Sequence, residues 1–221
     1  MASPVSHIIY TKRYFDSLES GRLLEHLSDE ERSSYPLGKI DKDKFILGCA
    51  FPDIRRIDND IKRKDTHLCF DKLNLDFSGL TDFQMGWKFH LYCDMKREEI
   101  LNKYGFYQLK NADDFYGHPA KCLEDELLYD DFDNWEKLCH YFNGPPFIQA
   151  LPKVEEETFK LWYAIVAKYL ETKPNNATIR VFLSKQPSLS GNVNSITESL
   201  DKLRKNKKVV EILLKVKEEI I

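Results

Sequence analysis

No window of this 221-residue chain approaches the ~18 uninterrupted apolar residues that a membrane-spanning helix needs. The opening MASPVSHIIYTKRYFDS has no apolar run behind a basic start, so neither a signal peptide nor a membrane span is expected, and the chain reads as cytoplasmic. Charge of one sign is lacking too. Lys+Arg 33 against Asp+Glu 36 leaves a formal net charge of -3, which removes any global electrostatic case for a nucleic-acid partner. The five cysteines, Cys49, Cys69, Cys93, Cys122 and Cys139, show no CxxC or CxxxC spacing. That argues against both a thiolate zinc site and a disulfide framework, leaving free thiols in a reducing compartment. Internal repeats, a P-loop and GxGxxG are absent, so cradling of a nucleotide by backbone amides has no support.

What is present is an ordinary globular composition, 42% hydrophobic and 31% charged, enough for one good core and one domain spanning 1–221. Its central feature is GLTDFQMGWKFHLYCD, Gly79 to Asp94. Leu80, Phe83, Trp87, Leu91 and Met95 recur at three- and four-residue steps, the pattern of a buried helix running to about Lys103, capped by Ser78 or Thr81 and stopped by Tyr104-Gly105. At that period His90 and Asp94 lie on one face, their Cβ atoms ~5–6 Å apart. Gly86 lies one turn earlier on the same face, where a missing side chain leaves room for an ion, a water or another helix. The pair alone is equally described as a histidine and an aspartate bonded to each other in a core.

Along the chain, Ser3-Pro4 signals a helix start that puts His7 in the first or second turn. Ser20-Gly21 interrupts it before a second piece holding Leu23, Leu24 and Leu27, with His26 at the surface; Pro36-Leu37-Gly38 reads as a turn. In the apolar block Phe45 to Ile54, Pro52 is expected to push Phe51 out of helical geometry. Asp53 follows directly and can point back at the core. Arg55 to Asp65 reads as an exposed loop ending at Thr66-His67. Gly117-His118-Pro119 reads as a turn, and Glu124 to Glu136, with seven carboxylates and no lysine or arginine, as a solvated face. Asp133 with Glu136 resembles a capping box for a short helix closed by Gly144-Pro145-Pro146, with His140 turned away from its apolar side. Residues 154–171 form a helix, Thr178 to Leu183 reads as either strand or helix, and Ser195 with Glu198 caps one last long helix whose polar side is basic.

Histidines and aspartates embedded in the apolar parts of separate segments are what builds a metal site between helices of a bundle. Imidazole and carboxylate suit zinc, manganese or iron, as one ion or as two with a bridging aspartate. The order of His7, then F-x-L-G-x-x-x-P-D (Phe45, Leu47, Gly48, Pro52, Asp53), then Thr66-His67, then G-x-x-x-H-x-x-x-D (Gly86, His90, Asp94) resembles the zinc-dependent phospholipase C family and its small bacterial relatives. The resemblance covers roughly the first half of the chain, with its motifs in 1–105 and a helical half at 120–221. It implies an all-α, single-domain multi-helix bundle. It also implies that Asp53, His67, His90 and Asp94 hold one metal, that His7 and Asp94 hold a neighbour, and that Asp53 doubles as general base. The secreted phospholipases add a third ion through a histidine soon after the HxxxD aspartate and a later HxxxE pair, and use an N-terminal tryptophan. Here position 100 is isoleucine, His140 is followed four residues later by Gly144, and no tryptophan lies near the N-terminus. The trinuclear site and the choline-phospholipid substrate are therefore not carried over.

The expected activity is hydrolysis of a small phosphoester or phosphodiester. An HD-type phosphohydrolase ranks behind it, because none of the six histidines is followed by aspartate. The non-enzymatic alternative is a helical metal-binding or interaction protein acting through its basic last helix or acidic run. His118, or a carboxylate of that run, is a further candidate for the site. Oligomeric state is not legible.

Overall fold

Thr81 starts the central helix by a reciprocal cap: its hydroxyl accepts from the Gln84 amide at 3.3 Å while the Gln84 side chain accepts from the Thr81 amide at 3.0 Å. Around this helix the computed structural model describes residues 3–22 and 40–221, and the readings made for Leu23, Leu24, His26, Leu27 and Pro36 to Gly38 lie outside them. The described α-helices are α1 (Pro4–Glu19), α2 (Lys42–Ala50), α3 (Arg63–His67), α4 (Asp82–Lys103), α5 (His118–Leu128), α6 (Trp135–Asn143), α7 (Glu156–Leu170), α8 (Asn176–Ser184), α9 (Val193–Arg204) and α10 (Lys207–Glu219). No strand occurs among the described residues, and the helices form one all-α bundle. Among the described residues no helix is long and apolar enough to cross a membrane.

The bundle is organised by the crossing of α2 over α4. A Cβ on Gly86 would fall 1.8 Å from the Phe45 carbonyl oxygen, and one on Gly48 would fall 1.8 Å from the Phe83 carbonyl oxygen. The two backbones thus touch through facing glycines, and the space left by Gly86 is filled by another helix. Tyr14, Phe45, Phe77 and Phe89 pack at ring distances of 5.0 to 6.1 Å beside this crossing.

Several local expectations are corrected. Ser3 precedes α1 but its hydroxyl makes no helix cap; it turns to Ser6 and Asp125 instead. Phe51 keeps helical angles (φ -64, ψ -44), because Pro52 opens a 3₁₀ turn, Phe51–Arg56, in a position where its missing N–H costs nothing. The stretch 55–65 is not a plain exposed loop: Ile61 is buried, and the Arg55 and Arg56 side chains are mostly covered. Gly117, with φ 71, leads straight into α5 with Pro119 in its first turn. The acidic run is not wholly solvated, since Glu124 and Asp125 are buried. Arg97 Nε donates to Glu124 at 2.6 Å and the Tyr10 hydroxyl donates to its other oxygen.

In the C-terminal half α6 starts after Asn134, with no side-chain cap from Asp133. Residues 176–184 are helical because the Asn175 side chain accepts from the Ala177 and Thr178 amides. The last helix is two: Ser195 lies inside α9, and Asn206 caps α10. The basic face is largely neutralised, Arg204 pairing with Glu126 at 2.6 Å and Lys217 with Asp131 at 3.1 Å.

Candidate metal centre

The α2–α4 crossing fixes the first ligand candidate. It brings the end of α2 against His90, whose Nδ1 lies 2.8 Å from the Cys49 carbonyl oxygen. A carbonyl only accepts, so Nδ1 carries the proton and Nε2 is a bare lone pair. That Nε2 is buried without a hydrogen-bond partner, 3.7 Å from Asp94 Oδ2 on the same helix. His7 arrives from α1 with Nε2 3.6 Å from Asp94 Oδ1. Its depth is set by Asp125 of α5, which accepts from Ser3 Oγ at 2.9 Å, Ser6 N at 2.9 Å and Ser6 Oγ at 2.8 Å. His67 ends α3, hydrogen-bonded through Nδ1 to Thr66 Oγ1 at 2.8 Å, and the Thr66 carbonyl accepts from Trp87 Nε1 at 2.7 Å, pinning α3 to α4.

Of the five residues singled out from sequence, His67, His90 and Asp94 offer ligand atoms all within 4.8 Å of one another. His7 meets Asp94 directly and, with Cys49 and His90, makes a second such group. Asp53 stands outside both groups. It lines one pocket with His67 and Asp94, its Oδ1 3.3 Å from Arg56 Nε and 3.9 Å from an Arg55 nitrogen.

The protonation states of His67, His90 and Asp94 suit a cation. Burial pushes His67 down to about 4 and His90 well below its usual range, so both rings are neutral at neutral pH, the form a metal requires. Burial opposes charge on Asp94 and Asp53 as well. Lys121 and His7 nevertheless hold Asp94 well below the carboxylate range, and positive groups that include Arg56 do the same for Asp53. His7 goes the other way: against its burial, Asp94 holds it well above the imidazole range. A bare His90 nitrogen facing a carboxylate oxygen puts two lone pairs opposite each other, an arrangement that a cation between them relieves. The 3.6 and 3.7 Å separations lie close to the ~3.3 Å ligand–ligand edge of a tetrahedral zinc with bonds of ~2.0–2.1 Å. These residues fit a zinc-type ion.

Asp53, His67 and Asp94 line a cavity of about 460 Å³ whose remaining polar lining the sequence did not reveal: Arg55, Arg56, Arg63 and Lys121, with Glu98 and the exposed Tyr116. Lys121 reaches Asp94 Oδ1 at 3.2 Å. The available signal was Arg56 three residues after Asp53, which a helical turn sets side by side; the reading of 55–65 as an exposed loop hid it. His118 does line this cavity, buried, with Nδ1 unpaired and burial pushing it down to about 3. His140 is exposed on α6 and remote from it. None of the acidic run's carboxylates lines the cavity.

No protein-family model, curated protein or solved structure matches this chain. The functional reading therefore rests on the site alone.

Proposed function

We propose that this chain is a metal-dependent hydrolase of a small phosphoester or phosphodiester, acting in the cytoplasm through one or two zinc, manganese or iron ions. His67, His90 and Asp94 would hold an ion, with His7 and Asp53 completing the set. The observation that carries the reading is the buried His90 Nε2, without a hydrogen-bond partner among the described residues, facing Asp94, which lines a cavity together with four cationic side chains. A bound ion would acidify a water and polarise a phosphoryl oxygen. The protein's own groups supply the rest. Asp53 is buried and anionic, so it can accept a proton at its free oxygen while Arg56 holds the other. Arg55, Arg56, Arg63 and Lys121 offer the donors that bind and orient phosphoryl oxygens.

A metal-free reading also has an observation in its favour, since Lys121 on Asp94 and Arg56 on Asp53 already neutralise both carboxylates. The deciding experiment is metal analysis of purified protein by plasma emission, with hydrolysis of bis(p-nitrophenyl) phosphate and p-nitrophenyl phosphate followed in parallel. One or two ions per chain, lost together with activity in Asp94→Ala, is the expected result. Metal-free protein whose stability does not change on adding zinc or chelator would reduce the site to a structural charge cluster.

A further inference from the structure

We infer that the cavity above the histidines is built for a terminal, dianionic phosphate, so that the substrate class is a phosphomonoester and not a diester. This rests on the hydrolase reading and narrows it. Three guanidinium groups come from one short segment, Arg55, Arg56 and Arg63, and the ammonium of Lys121 comes from α5, all into one cavity. Against them stand three carboxylates, Asp53, Asp94 and Glu98.

The pairing among these charges is incomplete. Asp53 serves both Arg56, at 3.3 Å, and Arg55, at a loose 3.9 Å, and Arg55 Nε is buried with no partner among the described residues. Arg63 makes no ion pair among those described and is exposed at the cavity edge. Asp94 holds Lys121 at 3.2 Å. Asp53 and Asp94 are also the two carboxylates of the candidate ligand set. An ion that takes up the charge of both carboxylates leaves the charges of Arg55, Arg56 and Lys121 uncompensated, even where Arg56 still touches Asp53. Four cations then face Glu98 alone.

A diester brings one negative charge and two non-bridging oxygens, and needs room for organic groups on both sides. A terminal phosphate brings a charge of about -1.5 to -2 and three strong acceptor oxygens. Only the second approaches neutrality with the cations on hand, and three oxygens match forked guanidinium donors combined with a point-charge ammonium. The volume, about 460 Å³, accommodates a small phosphorylated molecule. Metal and phosphate therefore bind cooperatively, each strengthening the other by the same factor.

The test is calorimetric titration of the intact chain at pH 8, zinc-loaded and chelator-treated, with inorganic phosphate, phenylphosphonate as a non-hydrolysable monoester mimic, and dimethyl phosphate as the diester mimic. Phosphate and phenylphosphonate are expected to bind the loaded protein at least tenfold tighter than dimethyl phosphate, and at least tenfold tighter than they bind the chelated protein. Arg63→Ala, an exposed position whose loss leaves the fold intact, is expected to weaken both dianions about tenfold. Equal or tighter binding of dimethyl phosphate would overturn the proposal while leaving a diester hydrolase standing. Binding of free phosphate with exclusion of phenylphosphonate would overturn it in favour of an inorganic-phosphate site. Tight binding of both dianions without turnover of any phosphoester would keep the dianion pocket and remove the hydrolase.

Discussion

His7 and His90 stack face to face, their ring centroids 3.8 Å apart and their planes 15° from parallel, with both Nε2 atoms directed at Asp94. Two imidazolium rings cannot share that spacing without strong repulsion, so one proton serves the pair. Asp94 draws it to His7, and that charge adds to burial in keeping His90 neutral. In the metal-free protein the imidazolium of His7 and the ammonium of Lys121 thus stand where a divalent ion would otherwise supply the positive charge.

Replacing His90 with alanine should therefore remove metal binding without unfolding the chain. Zinc at a hundredfold excess over its Kd adds about 2.7 kcal/mol to a protein that binds it only when folded, a rise in Tm of roughly 5–10 °C for a chain of this length. Differential scanning calorimetry should show that rise in the wild type and none in His90→Ala. An equal rise in both proteins would place the ion elsewhere.

The facing glycines make a second expectation sharp. Gly86→Ala drives a methyl group into the Phe45 carbonyl, which is backbone and cannot rotate aside. A loss of about 3 kcal/mol or more in urea unfolding is expected, together with loss of zinc binding, because the Cys49 carbonyl that fixes His90 shifts with α2. Wild-type stability in this variant would contradict the crossing.

Much of this was legible in the sequence, and the parts that were not share a cause. The HxxxD pair, the buried aspartate after Phe51-Pro52 and the early histidine on α1 were visible, because a polar residue on an apolar face is a local pattern. Gly86 was legible as a gap, but that the Phe45 backbone fills it needs the partner helix. Glu124 and Asp125 looked like surface because their neighbours in sequence are acidic. Their partners, Arg97, Tyr10, Ser3 and Ser6, lie far along the chain. The cationic lining also depends on folding: Arg55 and Arg56 read as loop residues until the 3₁₀ turn folds them over Asp53, and Lys121 joins them from α5, far along the chain.

That buried acidic pair yields a test of its own. Glu124→Ala strands the Arg97 guanidinium in the core and should cost about 3–5 kcal/mol by chemical denaturation. Glu124→Gln, which keeps an acceptor for Arg97, should cost clearly less. If the two variants behave alike, the ion pair is not what holds α5 to α4.

Asp125 gives a pH dependence with a definite sign. Burial raises its carboxyl from 3.8 to about 6, against the three donors from Ser3 and Ser6 that favour the anion. A carboxyl raised on folding contributes stability that is complete below ~4 and lost as the pH rises through about 6. The stability of the wild type relative to Asp125→Asn should fall by about 2–3 kcal/mol between pH 4 and 6.5 and level off above. A difference independent of pH would show that the donors hold the carboxyl at its ordinary value.

The ligand-bearing face and the glycine contact share one continuous helix, α4, and an α-helix turns ~100° per residue. Inserting or deleting a single residue between Gly86 and Asp94 would swing His90 or Asp94 round to a flank while the crossing stayed where it is. Substitutions elsewhere on that interval can be absorbed by repacking, but a change of length cannot. The spacing between the two positions acts as a ruler, and it holds the chemistry in register with the scaffold.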